Sequence, residues 1–152
     1  MALPWTEKRL IPVNPPQEEP RQRLKASPRI MVAEDHPEMR ALLRQVLVHE
    51  GYQVIEAEDG PSLIRALIGG MLAEPTLPPD LIITDMRMPG CTGLEVLTRL
   101  RREDRCTPFI LITAFGDEAL HEEATRLGAA VLDKPFAPQD LRALVKRLIQ
   151  HM

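Results

Sequence analysis

The chain has 152 residues, 44% of them apolar and 27% charged, with a formal net charge of −3 at neutral pH. This length and composition are typical of one soluble globular domain, and the acidic balance disfavours a general affinity for nucleic acid. No apolar run approaches the roughly 18 residues of a membrane span, no signal peptide is visible, and two cysteines make neither a disulfide framework nor a metal site, so we expect a cytoplasmic protein.

Residues 1–28 differ from the rest of the chain. They contain six prolines with interspersed charges and no sustained periodicity, which is typical of an extended, flexible arm. The main apolar side chains of this N-terminal arm are Leu3, Trp5, Leu10, Ile11, Val13 and Leu24. We interpret the arm as a loose leader or linker, with a docking segment for a partner or for the domain itself as the alternative. The predicted folded domain spans 29–151.

From Arg29 onward, short apolar runs alternate with helical patterns. The apolar runs predict four strands over 30–33, 52–57, 81–85 and 109–113, and a fifth that ends near Lys134. The intervening helices are predicted to begin near Pro37, Gly60, Leu94, Asp117 and Pro138. Gly51 and Gly128 are expected to end the first and fourth helices. Residues 69–80 are predicted to form a long loop, and 88–90 a turn.

The predicted strands are too uniformly apolar to have one face in water. A parallel sheet covered by helices on both faces follows, so the expected fold is α/β, with a β/α unit repeated five times. We interpret the sheet as doubly wound with the strand order 2-1-3-4-5, and such sheets bind ligands at the carboxyl edge of their strands.

Polar residues follow four of the apolar runs at that edge. Glu34 and Asp35 follow the first strand, Asp85 ends the third, Thr113 ends the fourth, and Lys134 follows the fifth. Two carboxylates about 4 Å apart repel by about 4 kcal/mol at an effective dielectric constant near 20, so clustered carboxylates suggest a cation. Oxygen ligands favour Mg²⁺ or Mn²⁺ over zinc.

One further group beside the carboxylates is a nitrogen ligand candidate. His36 follows Asp35 directly, but we interpret it as a solvated residue at the start of a helix. Asp85 is the best candidate for a nucleophile toward phosphorus, because the strand order places it centrally, between the acidic pair and Thr113. The cation and Lys134 would offset charge on a transferring phosphoryl group.

Four segments in chain order now identify a family. The runs MVAED at 31–35, LIITDMRMPG at 81–90, ITA at 112–114 and DKPF at 133–136 closely resemble the response-regulator receiver domains of two-component signalling. The resemblance covers about 29–151 and implies a flavodoxin-like (βα)5 sandwich. It also implies a cis bond between Lys134 and Pro135, an arrangement that proteins keep almost only at proline.

The resemblance implies a role for each site residue. Asp85 would accept a phosphoryl group from a histidine kinase or a phosphotransfer protein, and Thr113 and Lys134 would bind the phosphoryl oxygens. Mg²⁺ would be bound by Asp35, Asp85 and the backbone carbonyl of Arg87, with Glu34 acting through water. Receivers also catalyse their own dephosphorylation, so we expect no enzymatic activity on a separate substrate. The expected partners are the phosphoryl donor and a downstream protein, with no direct contact to nucleic acid or membrane.

The chain departs from the family in three ways. The switch position on the fifth strand, usually aromatic, is Val131; the loop at 69–80 is longer than usual; and no output domain follows Met152. The chain is therefore expected to be either a complete single-domain regulator or a fragment of a larger protein.

Three other classes of protein are alternatives to the receiver interpretation. A dehalogenase-type phosphatase would need a second acid where Arg87 stands, and a flavodoxin-like electron carrier would need a hydroxyl-rich first loop. A receiver fold that binds partners without being phosphorylated is the main alternative.

Overall fold

The computed structural model describes residues 27–72 and 78–150. In this part of the chain, five strands alternate with five helices. The strands are β1 (Arg29–Ala33), β2 (Gln53–Ala57), β3 (Leu81–Asp85), β4 (Phe109–Thr113) and β5 (Ala130–Asp133). The helices are α1 (Pro37–His49), α2 (Gly60–Leu72), α3 (Gly93–Leu100), α4 (Glu118–Arg126) and α5 (Pro138–Gln150). Among these helices, none is long and apolar enough to cross a lipid bilayer.

All five strands are parallel and lie in the order β2-β1-β3-β4-β5. This is the predicted 2-1-3-4-5 order, and the predicted fold is confirmed. Because the strands are parallel, their carboxyl ends share one edge of the sheet, which we call the carboxyl edge. The registers of β1 with β3 and of β3 with β4 bring Ala33 beside Thr84, and Asp85 beside Ile112.

Helices cover both faces of the sheet and create two apolar layers. One layer joins β-strand side chains to Leu43 and Leu47 of α1 and to Leu141 and Val145 of α5. The other packs α2, α3 and α4 against the opposite face. Every residue of β3 and β4 is buried as a result. The uniform apolarity of these strands in the sequence therefore has the predicted cause.

Local sequence explains where several helices begin and end. The Thr92 side chain accepts a hydrogen bond from the Glu95 backbone N–H, and the Glu95 carboxylate accepts one from the Thr92 backbone, which together cap the start of α3. The Asp117 side chain caps α4 by accepting from the Leu120 N–H. Beyond α4, Gly128 has a φ of 75°, which favours glycine.

Two predictions about elements were wrong in detail. The loop predicted from residue 69 begins later, because α2 continues through Gly69 and Gly70 to Leu72. Each glycine costs a helix only about 1 kcal/mol, and the packing of Leu63 and Leu67 on the sheet favours this helix. Strand β2 begins at Gln53 rather than Tyr52. Residues 73–77 of the predicted loop, like residues 1–26 of the N-terminal arm, lie outside the described residues, and the predicted boundary between arm and domain stays a prediction.

Arg101, the residue that directly follows α3, is buried, at 8% exposure, and this burial was not predicted from the sequence. Its guanidinium donates to backbone carbonyls in the loop before β4 and in the turn between α4 and β5. Burial lowers the pKa of Arg101, opposed by the nearby charge of Asp104.

Candidate functional site

The carboxyl edge brings together the residues that the sequence singled out. Glu34 and Asp35 follow β1, Asp85 is the last residue of β3, and Thr113 is the last residue of β4. Lys134 comes directly after β5. Since β1, β3, β4 and β5 are successive neighbours in the sheet, these side chains share one crevice. Arg87 lies in the loop that follows Asp85.

Asp85 is the centre of this crevice. Its side chain is buried, and its Oδ1 lies 2.8 Å from the Lys134 ammonium in an ion pair. Its Oδ2 accepts a hydrogen bond of 3.0 Å from the Arg87 backbone N–H. The lysine is positioned by its own backbone, because its N–H donates to the Thr113 carbonyl at 2.8 Å. The peptide bond that follows it, Lys134–Pro135, is cis, as the resemblance implied.

Next to Asp85 lies an acidic pair. Glu34 is fully buried, and its Oε2 accepts a hydrogen bond of 3.1 Å from the His36 N–H. Burial raises the pKa of Glu34; the hydrogen bond from His36 opposes this, and the charges of Asp85 and Asp35 add to it. Glu34 Oε1 and Asp35 Oδ1 are buried and accept no hydrogen bond from any described residue. Buried acceptors without donors are unfavourable unless a cation compensates them.

The donor set fits a hard divalent cation. Ligand atoms of Glu34, Asp35 and His36 lie within 4.8 Å of one another. The His36 side chain is 75% exposed, and its Nδ1 stands 3.5 Å from one oxygen of each acid. Its exposure agrees with the interpretation of a solvated residue at a helix start. The carboxylate oxygens of Glu34 and Asp35 are ligands that Mg²⁺ and Mn²⁺ accept.

The fourth strand contributes a hydroxyl and the loop after it an aromatic ring. Thr113 is buried, and its Oγ1 accepts a hydrogen bond of 3.1 Å from the Phe115 N–H. The Phe115 ring is 70% exposed, and the Arg87 guanidinium lies over it at 4.6 Å from the ring centre. The loops after β3 and β4 therefore meet at the mouth of the crevice.

Sequence reasoning missed several residues that shape the site. Arg40 of α1 donates from Nη1 to the Glu34 carbonyl at 2.7 Å and also pairs with Glu56, which fixes the loop that holds the acidic pair. Its place in the first turn of α1, six residues after Glu34, was the available signal.

Two glycines were also missed, and both are required by close approach. A Cβ on Gly93 would lie 2.5 Å from Thr84 Oγ1 and 2.6 Å from the Asp85 carbonyl oxygen. A Cβ on Gly116 would lie 2.5 Å from Asp133 Oδ1 and 2.9 Å from Thr113 Cγ2. Their positions after the strands that end in Asp85 and Thr113 were the only sign in the sequence.

Comparison with known proteins gives one consistent family. A family model described as the response regulator receiver domain matches residues 30–146. The transcriptional regulatory protein ResD of Bacillus subtilis (strain 168) is 37% identical over 123 residues, which are 80% of this chain and 48% of ResD. Sporulation initiation phosphotransferase F of the same organism is 31% identical over 122 residues, which are 80% of this chain and 93% of that protein.

Solved structures agree with this family. The receiver domain of a putative LuxO repressor protein from Vibrio parahaemolyticus has a TM-score of 0.71 and 27% identity, covering 82% of this chain and 92% of its own. Chemotaxis response regulator CheY4 of Vibrio cholerae has a TM-score of 0.68 and 28% identity, covering 80% of this chain and 98% of its own. The chain spans about half the length of ResD and of the phosphate regulon transcriptional regulatory protein PhoB of Escherichia coli (strain K12).

Proposed function

The chain belongs to the family of response regulator receiver domains, and from that membership we propose that Asp85 accepts a phosphoryl group from a histidine kinase or a phosphotransfer protein. The observation that best supports this is the contact of 2.8 Å between the Lys134 ammonium and Asp85 Oδ1. This contact holds the Asp85 carboxylate at the sheet edge beside a fixed positive charge, as the transfer of a phosphoryl group to a carboxylate requires. One relative carries the name phosphotransferase.

In the proposed reaction, an Asp85 oxygen attacks the phosphorus of a phosphohistidine donor. A P–O bond forms, the P–N bond to the imidazole breaks, and its electron pair stays on the nitrogen. Lys134 keeps its proton and offsets charge on a phosphoryl oxygen, while the Thr113 hydroxyl donates to another. Thr113 is free to do so because its Oγ1 only accepts in the structure, from the Phe115 N–H.

The acidic residues are proposed to hold Mg²⁺, or Mn²⁺ in its place. Asp35, Asp85 and the Arg87 carbonyl are the proposed direct ligands, and Glu34 acts through a water molecule. When bound, the ion supplies positive charge that offsets the charge on the phosphoryl oxygens during transfer. The fit rests on the buried oxygens of Glu34 and Asp35 that lack hydrogen-bond donors among the described residues.

Phosphorylation is proposed to act as a signal rather than to feed a metabolic reaction. The acyl phosphate on Asp85 is lost to water, which attacks phosphorus and restores the carboxylate, so the only chemistry is on the chain itself. While it lasts, the altered contacts of Thr113 and Lys134 favour a different surface, which a downstream protein binds in the cytoplasm. Contact with nucleic acid or membrane is not part of the proposal.

Intact-protein mass measurement tests this proposal. With acetyl phosphate and Mg²⁺, the wild type should gain one phosphoryl group, and chelation of the metal should prevent the gain. Asp85→Asn should gain nothing, because an amide is a poor nucleophile. The matched control is Asp59→Asn, which makes the same change beyond the end of β2, where Asp59 accepts a hydrogen bond from Ser62. A wild type that gains no mass would favour the alternative, a receiver fold that binds partners without phosphorylation.

A further inference from the structure

A groove lies between α2 and α3. Its floor is apolar and is made by Ile64 and Leu67 of α2 and by Val96 and Leu100 of α3. Two exposed cations, Arg99 and Arg102, and the exposed carboxylate of Glu103 stand at its rim. These residues belong neither to the crevice around Asp85 nor to the proposed metal ligands.

The size of the groove limits what it can bind. Its volume is about 170 Å³, whereas sites for small-molecule ligands occupy roughly 300–1,000 Å³. A single large side chain from a peptide segment fits this volume better than a metabolite does. The apolar floor favours an apolar side chain, and the guanidinium rim favours an aromatic one, because a cation stabilises the face of an aromatic ring.

The described part of the chain begins at Ser27, just before β1. Helices in a parallel α/β sheet run back against the strands, so α3 ends near the edge where the strands begin. At that edge the Arg29 N–H donates to Asp80 Oδ2 at 2.8 Å, and the Asp80 N–H donates to the Arg29 carbonyl at 2.7 Å. Helix α2 packs over β1 and β2, α3 packs over β4, and the two helices contact each other. The groove between them therefore lies over the face of the sheet that contains β1, the strand that follows the arm.

We propose that the arm folds back and places the indole of Trp5 in the groove between α2 and α3. Trp5 is the only tryptophan in the chain, and it buries more apolar surface than any other side chain of the arm. The segment between Trp5 and Ser27 can span roughly 70 Å when extended, far more than the docking needs. Because loop closure costs grow only with the logarithm of length, the distance in sequence is a weak obstacle. The proposal does not depend on phosphorylation of Asp85.

Trp5 itself reports the outcome, because no other tryptophan contributes to the fluorescence of the full-length chain. We expect its emission at shorter wavelength than that of a peptide of residues 1–26, and weaker quenching by acrylamide. Ile64→Glu puts a carboxylate on the groove floor and should restore the emission and quenching of the peptide. The matched control is Leu42→Glu on α1, an exposed leucine on the other face of the sheet, which should change neither.

A second pair of variants guards against a folding defect in Ile64→Glu. Arg99→Glu reverses a charge at the rim and should weaken the blue shift, whereas Lys146→Glu on α5 makes the same change at an exposed site away from the groove and should not. Wild-type emission equal to that of the free peptide would overturn the proposal, as would a blue shift that survives Ile64→Glu in a folded protein. A blue shift that grows with protein concentration, together with a dimer in sedimentation, would instead assign the groove to a second copy of the chain.

Discussion

Replacing the buried Arg101 with alanine tests how the packing beyond α3 is held together. The guanidinium donates to four backbone carbonyls: Nε to Leu127 at 2.6 Å, Nη2 to Thr107 at 2.8 Å and to Gly128 at 3.4 Å, and Nη1 to Asp104 at 3.1 Å. One side chain thus connects the end of α3, the loop before β4 and the turn between α4 and β5.

The expected loss follows from these bonds. Three of the four are short enough to count fully, and each contributes about 1 kcal/mol net when water competes for the freed carbonyl. Arg101→Ala should therefore lower the free energy of unfolding by about 3 kcal/mol. For a domain of this size that corresponds to roughly 10 °C in melting temperature. The free energy of unfolding of Arg101→Lys should lie between those of the wild type and Arg101→Ala, because one ammonium cannot reach all the carbonyls that surround the planar guanidinium.

Urea titration followed by circular dichroism measures the loss, and Arg105→Ala is its control. Arg105 lies four residues further along the chain, is exposed, and makes no hydrogen bond or ion pair among the described residues. Its removal should change stability by less than about 0.5 kcal/mol, as surface substitutions usually do. If the two alanine variants unfold at the same urea concentration, the assignment of Arg101 as the link between these three segments is refuted.

Three further predictions concern the site. Mg²⁺ at about 100 times its dissociation constant should stabilise the wild type by about 2.7 kcal/mol, and thermal melts of Asp35→Asn should show a smaller gain from Mg²⁺ together with higher metal-free stability. Burial raises the pKa of Glu34 above its ordinary value of 4.5. The protonated carboxyl therefore stabilises the metal-free fold at low pH, and this contribution is lost as the pH rises through the folded-state pKa. Glu34→Gln should raise the metal-free stability at neutral pH and flatten that part of the pH profile of unfolding. On binding a phosphoryl mimic, methyl and aromatic NMR should show a large change at Phe115 and a small one at Val131, because valine has a single χ angle and no ring to turn; a rotamer change at Val131 with Phe115 unmoved would contradict this.

Much of the architecture was predictable because burial on both faces leaves a direct record in the sequence. The strands β3 and β4 have no exposed residue, so their apolar runs could be recognised without knowledge of their neighbours. The positions of Asp85, Thr113 and Lys134 at one edge then followed from parallel topology alone. Asp117 was likewise expected at the start of the fourth helix, and its side chain caps that helix. The capping of α3 by Thr92 was not predicted, although it depends on residues only three positions apart.

The failures have a common physical origin in contacts between distant segments. Gly69 and Gly70 predicted the end of a helix, but helix α2 continues because packing of its earlier residues outweighs their low propensity. Arg101 has an ordinary sequence context, and only the meeting of the α3 end with a turn 26 residues later makes it a buried donor. Neither outcome could be predicted before the tertiary arrangement was known.

The close approach at Gly93 and Gly116 limits how this chain can be altered. Even a methyl group at Gly93 would press on the Asp85 backbone, and one at Gly116 on the Asp133 side chain beside Lys134. Gly93 at the start of α3 and Gly116 in the loop after β4 therefore leave no room for a side chain. Arg87 and Phe115, stacked and exposed at the mouth, have side chains that face outward and can be changed. A redesign of the chain as a sensor can place new side chains at these two positions without changing the backbone that positions Asp85.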